Sequence, residues 1–361
     1  YRSAGLILAT ASSEGNLGDL YFNLGQTRTA QRHYETALSY FSESNRRGNV
    51  IYTLAQLARI LLVNWEFDKV KQRLDELRTM IDETPNDDYE LHYLFLMGLY
   101  QQRKGHLYKA LKYIQQATLV IHRMEDKPGL GNVHIARANI LLELNNLKLS
   151  RYYIQKAIML SETTGDYAAL IEACLCQARV HRYQGNTEAA SNDLDRAEAI
   201  LGTRYDPRTQ FKIAFQRVKL QLESDCRRDL SQHISEIRTI SANFQDQSFH
   251  ADTEILAAKC AAKVGNPDAA LKIIDSVHLR VIESEYTWQD WQISRLKARF
   301  MVQAGILTTA RLEFDRAIGQ VSTTASKIKH PRLRTCFMDR RDIQALFSEH
   351  QACLNSKPRQ L

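Results

Sequence analysis

The chain has 361 residues, 44% of them apolar and 25% charged, with a formal net charge of +7; these proportions are those of a soluble globular protein. No apolar run approaches the roughly 20 residues that a membrane-spanning helix needs, and Arg59 interrupts even the apolar stretch between Leu54 and Val63. The positive charge is concentrated rather than spread: residues 327–361 carry +5, leaving +2 for the other 326, which argues against a nucleic-acid groove, where basic charge follows the whole binding path.

The chain opens on Tyr1, and helix-compatible sequence begins almost at once, with no charged segment leading into an apolar one as in a secretory signal. It is expected to be part of a longer polypeptide. The six cysteines, Cys174, Cys176, Cys226, Cys260, Cys336 and Cys353, show neither zinc-type nor disulfide-type spacing. There is no N-x-S/T sequon, and a reducing cytoplasm is the expected location.

Residues 16–38 organise the rest. Leu17, Gly18 and Tyr21 share one face of a first helical pattern, and Ala30, Tyr34 and Ala37 share a face of a second. Gly25 lies between them as a turn residue able to take positive φ. Small residues at 18 and 30 allow close approach of the two helices, with Tyr21 and Tyr34 filling the space beside that contact. Steps of 40 from Gly18 reach Ala58, Gly98, Ala138, Ala178, Val218, Ala258 and Ala298. The same steps from Gly25 reach Trp65, Gly105, Asn145, Gly185, Asp225, Gly265 and Gly305. Eight copies keep one register, predicting units at about 11–50, 51–90, 91–130, 131–170, 171–210, 211–250, 251–290 and 291–320.

In chain order, the first ten residues extend the first helix or belong to a preceding unit. Trp65 stands where a turn glycine is expected, and its ring is predicted to wedge the helix–helix corner. Turn clusters separate later units, among them residues 84–90 with Pro85 and the Pro128-Gly129 pair. The sixth unit departs most, with Asp225 and Leu230 replacing the turn glycine and the small residue, so a bend or weak joint is expected there. Residues 321–361 break the period. After Pro331, the apolar Ile343, Leu346, Phe347 and Leu354 recur at helical spacing opposite Arg340, Arg341 and Glu349. A terminal repeat exposes an apolar face, so this segment is expected to be a capping helix.

These helix–turn–helix units, ending in the small–aromatic–small pattern of Ala30, Tyr34 and Ala37, resemble tetratricopeptide repeats, although 40 residues exceeds the usual 34. Units of this length are similar to those of MalT-like signal-transduction ATPases, of Rap-type regulators and of kinesin light chains. The ending Pro331 to Leu346 also resembles the segment downstream of such repeats in large bacterial proteins that join a kinase or cyclase to an ATPase module. The implied fold is an all-α solenoid, a right-handed superhelix of about eight units with a C-terminal cap.

The resemblance further implies that the first helix of each pair lines a concave face through unit positions 2, 5, 9, 12 and 13. With Gly18 at position 8, position 9 reads Asp19, Arg59, Leu99, Asn139, Arg179, Lys219, Lys259 and Arg299, ending in four consecutive cations. Position 5 is apolar in six consecutive units and includes Phe95 and Phe215. Arg182 and Tyr183 add a donor and a ring at positions 12 and 13 of the fifth unit. The candidate partner-binding set is therefore Arg59, Phe95, Arg179, Arg182, Tyr183, Phe215, Lys219, Lys259 and Arg299. The plainer reading puts position 5 in the core and makes the basic file a solvated edge paired with Glu172, Glu223 and Asp252.

No H-E-x-x-H, C-x2-C, Walker loop or G-x-G-x-x-G occurs. His134 and Cys174 fall at the same position of adjacent units, but no third group orients them, and a packing pair is expected. The chain is thus expected to be a non-enzyme with no cofactor or metal. It is read as an interaction module that takes a protein or peptide, acidic by the charge of its file, within a larger regulatory protein. No membrane or nucleic-acid partner is expected. The alternative is a sensor for a small molecule or signalling peptide in a MalT-like regulator or kinase/ATPase.

Overall fold

The computed structural model describes residues 2–124, 129–223, 230–284 and 290–356, and these are entirely helix and turn. The helices run in antiparallel pairs: α1 (Arg2–Asn23) with α2 (Thr27–Glu43), α3 (Arg47–Val63) with α4 (Phe67–Glu83), and α5 (Asp87–Arg103) with α6 (Leu107–Arg123). Next come α7 (Leu130–Glu143) with α8 (Leu147–Thr164), α9 (Tyr167–Tyr183) with α10 (Thr187–Leu201), and α11 (Pro207–Glu223) with α12 (Leu230–Ala242). Then α13 (Gln247–Lys263) pairs with α14 (Pro267–Glu283), and α15 (Asp290–Gln303) with α16 (Leu307–Ser326), before α17 (Pro331–Met338) and α18 (Arg341–Asn355). The pairs recur at the 40-residue spacing, with their first helices starting a few residues ahead of the expected unit bounds. The last pair outruns the expected boundary at 320, because Val321 and Ala325 are buried and keep α16 packed for another turn.

The 40-residue pattern has a direct steric cause. A Cβ placed on Gly18 would lie 2.8 Å from the Tyr34 ring, and one on Gly98 would lie 2.5 Å from Ile114. A small residue on the first helix thus receives a large one from the second, and Ala58, Ala138, Ala258 and Ala298 at the same position are fully buried. The turns within pairs close with a Schellman geometry: the Gly25 amide donates to the Phe22 carbonyl at 3.0 Å and the Gln26 amide to that of Tyr21 at 2.9 Å. Gly25, Gly105, Gly185, Gly265 and Gly305 all have positive φ there. Trp65 and Asn145 adopt the same left-handed backbone, at φ 64 and 58, where a side chain costs about 1–2 kcal/mol.

Those two exceptions mark where the solenoid meets itself. The Trp65 ring does not wedge its own corner alone: its Nε1 donates to Ser248 Oγ, 3.0 Å away and 183 residues on. Phe244, between α12 and α13, reaches the same place and lies against Gly25, where the Gln245 amide donates to the Gly25 carbonyl at 2.8 Å. The Arg208 guanidinium sits 4.2 Å from the Phe22 ring centre and donates to the Phe22 carbonyl at 2.6 Å. Farther along, the Asn145 side chain donates to the Cys336 carbonyl at 3.0 Å. The turns of early units therefore dock on segments about five units later, giving the superhelix a closed turn.

Asp225 and the rest of the sixth unit's turn lie outside the described residues. The segment after α12, in that same unit, is one of the anchors of this closure. The C-terminal expectation is corrected in two respects: Leu354, expected on the apolar face, is 45% exposed near the end of α18, and Arg340 is misplaced. Ile343 and Leu346 are fully buried on α18 as an apolar face requires, but Arg340 is not on the opposite, wet face. It is 2% exposed, donating to the Glu143 carbonyl at 2.9 Å and pairing with the Glu143 and Asp342 carboxylates at 3.2 and 2.7 Å. As the N-cap residue of α18, it stands off the helix face that the sequence pattern describes and reaches across to α7.

Candidate functional site

The C-terminal half of the concave face encloses a cavity of about 1020 Å³, walled by α9, α11, α13, α15 and the start of α18. Six of the nine sequence candidates line it: Arg182, Tyr183, Phe215, Lys219, Lys259 and Arg299. One helical turn separates Phe215 from Lys219 on α11, so the ammonium lies 4.1 Å from the centre of the Phe215 ring. Phe215 is buried, with its ring stacked on Phe211. It is a core residue that also lines the cavity.

The other three candidates are placed elsewhere. Arg179 sits one turn before Tyr183 and donates to Asn139 at 2.8 Å and to Glu143 at 2.7 Å, which spends its charge inside the fold. Arg59 stacks on the Phe22 ring at 4.5 Å, beside the closure contact of Arg208. Phe95 is half-buried against the main core. The basic file is thus continuous in sequence but divided in space.

Partners separate the cations that remain. Arg182 pairs with Glu223, and Arg295 makes a bidentate bridge to Glu349 at 2.7 and 2.8 Å, with Arg299 3.6 Å from the same carboxylate. Lys263 donates to the Leu222 carbonyl at 2.7 Å. Lys219 and Lys259 alone among the lining cations have neither a hydrogen bond nor an ion pair to an oxygen among the described residues. Burial pushes Lys219 down to about 7, helped by Lys259 and the guanidiniums of Arg182 and Arg179 and opposed by Asp252. Burial likewise lowers Lys259 to about 8, with Arg182, Arg299 and Arg295 adding to it and Glu223 opposing.

Sequence reading missed the wall supplied by Arg341 and Asp342. Arg341 lies 3.5 Å from the Tyr183 carbonyl, and Asp342 is held in place by Arg340. The signal was present in the run Arg340-Arg341-Asp342 at the head of an amphipathic segment, but nothing local says which turn it meets. No hydrogen bond joins His134 to Cys174 among the described residues. Burial lowers His134 to about 4 beside the Tyr153 ring and raises the Cys174 thiol to about 11. Among the described residues no cluster of His, Cys, Asp and Glu is arranged to hold a metal ion, and no helix is long and apolar enough to cross a membrane.

Helix pairs locked by a small-to-large contact, joined by left-handed turns and stacked into a winding array define a tetratricopeptide-type solenoid. Residues 17–309 match the MalT-like TPR region, and the chain belongs to that family. Solved structures share the fold. NprR in complex with its cognate peptide NprX superposes with a TM-score of 0.60 at 12% identity, over 85% of this chain and 88% of that one. A Rap protein complexed with Competence and Sporulation Factor gives 0.61 at 11% identity, over 96% and 99%. The Cut9–Hcn1 tetramer of the APC/C gives 0.59 at 13% identity, over 87% of this chain and 54% of that one. No curated protein matches the sequence.

Proposed function

We propose that this chain is a non-catalytic recognition module that binds an acidic peptide or peptide-like segment of a partner in the cavity between α9, α11, α13, α15 and α18. The single observation that carries the reading is the pair of ammonium groups, Lys219 and Lys259, left without an oxygen partner in a cavity of about 1020 Å³. A half-buried cation with no oxygen in contact is costly, and an incoming carboxylate lowers that cost. The Phe215 floor and the Tyr183 ring supply apolar contact for the side chains between the acidic ones. NprR, which shares the fold, was solved with its cognate peptide, and Rap with Competence and Sporulation Factor; this supports a peptide over a flat partner surface. Within a longer regulatory protein, such a module serves as the sensory or scaffolding part.

A second reading has its own support. The cavity volume lies near the upper end for small-molecule sites, roughly 300–1,000 Å³, so an anionic small molecule fits the same cations. Selection from a random dodecapeptide display library separates the two. The native chain should enrich sequences rich in Asp and Glu, and a variant with Arg182, Lys219, Lys259 and Arg299 changed to Glu should not. Enrichment of the same sequences by both proteins contradicts the peptide reading. Absence of any enrichment by the native chain favours the small anion.

A further inference from the structure

The arginines and the two lysines that line the cavity are in different electrostatic states. Each of Arg182, Arg295 and Arg341 meets an oxygen of its own protein, whereas Lys219 and Lys259 meet none among the described residues. The distinction matters chemically, because a guanidinium keeps its charge in any protein setting while an ammonium gives up its proton when it is buried and crowded. Accepting the acidic-peptide reading above, we infer that the carboxylates of the ligand are received by Lys219 and Lys259 together, and that binding draws protons from solvent onto these two amines.

Burial, with the neighbouring cations adding to it, favours the neutral amines, with Lys219 at about 7 and Lys259 at about 8. When a carboxylate enters between them, it favours the charged form of both, and each neutral amine takes up one proton to become an ammonium. No other group has to change state. Lys219 and Lys259 are faced by Arg179, Arg182 and Tyr183 of α9, and by Glu223 of Lys219's own helix, α11. Asp252 and Lys263 face them from α13, Arg295 and Arg299 from α15, and Arg341, Asp342 and Glu349 from α18. Burial moves the Tyr183 hydroxyl up and away from neutrality, and no histidine is among the lining residues. Affinity for an acidic ligand is therefore highest below neutrality and falls as the medium becomes alkaline. Ordinary lysines, titrating near 10.4, would leave it flat over that range.

Isothermal titration of a capped hexaglutamate peptide into the protein, in two buffers of different ionisation enthalpy, tests this. Binding should weaken about 20-fold between pH 6 and pH 8, with an uptake of about one proton per peptide at pH 7.5. A variant with Lys219→Arg and Lys259→Arg, checked for equal helicity, should still bind but take up no protons. Binding by the native chain with no proton uptake overturns the inference and leaves the acidic-peptide reading standing. Uptake that persists in the arginine variant also overturns it, since another group must then be titrating. Failure of the native chain to bind the probe at pH 6 overturns both.

Discussion

The two halves of the concave face are built from the same repeat and end in opposite states. In the first half, Arg59 at position 9 lies on Phe22, and Tyr34 donates to Asp19 at 2.5 Å. Phe244 and Arg208 from five units later close over that same end. In the second half, Lys219 and Lys259 at position 9 face open volume. Repeat position decides the direction in which a side chain points. The winding of the solenoid decides what it meets there: the first half is taken up by self-contact, and the second borders a cavity.

The largest test of this division is Arg340→Ala. It strips the Glu143 and Asp342 carboxylates of their buried partner and should cost about 3–5 kcal/mol, read by urea unfolding, while loosening the Arg341–Asp342 wall. A cost near zero would mean that the wall does not depend on closure. Phe244→Ala should cost about 3 kcal/mol at the other joint. Gly25→Ala should cost about 2 kcal/mol there, because its φ is +78 and a Cβ would fall 1.8 Å from the Phe244 ring. The double variant should cost less than the sum, since removing the ring removes the clash. Strict additivity would place Phe244 away from Gly25.

Lys219→Met should change stability in the favourable direction. The folded chain holds Lys219 at about 7, below its unfolded value, so the native state binds fewer protons than the unfolded one above that pH. Native stability relative to the methionine variant therefore rises from about pH 7 towards the unfolded value. Thermal melts at pH 7 and pH 9 should show the advantage of methionine narrowing at the higher pH. An advantage that stays constant would put Lys219 in a solvated setting.

Much of the fold was legible because it is local. The steric pairing of residues 18 and 34, and of 98 and 114, repeats at a fixed spacing, as do the turn residues from Gly25 to Gly305. The closure was not legible. Its residues Phe244, Arg208 and Arg340 meet partners 158 to 221 residues away in a family of contacts that includes Tyr183–Arg341 and His106–Lys327, and no periodicity encodes such pairs. The same gap explains the candidate site. Arg179 and Lys219 occupy one repeat position, but only the three-dimensional neighbours Glu143 and Asn139 reveal that Arg179 is already satisfied. Phe95 and Phe215 likewise share a position, and only the latter lines the cavity of about 1020 Å³.

The most direct test of the account compares the halves in one experiment. Labelled hexaglutamate would be titrated by fluorescence anisotropy, at pH 6.5 and low salt, into the native chain, into Lys219→Glu with Lys259→Glu, and into Arg59→Gln. The account predicts a loss of about a hundredfold or more for the paired lysine variant and less than about threefold for Arg59→Gln, whose charge is held in the self-contacting half. Equal losses in the two variants, or a larger loss for Arg59→Gln, would contradict it.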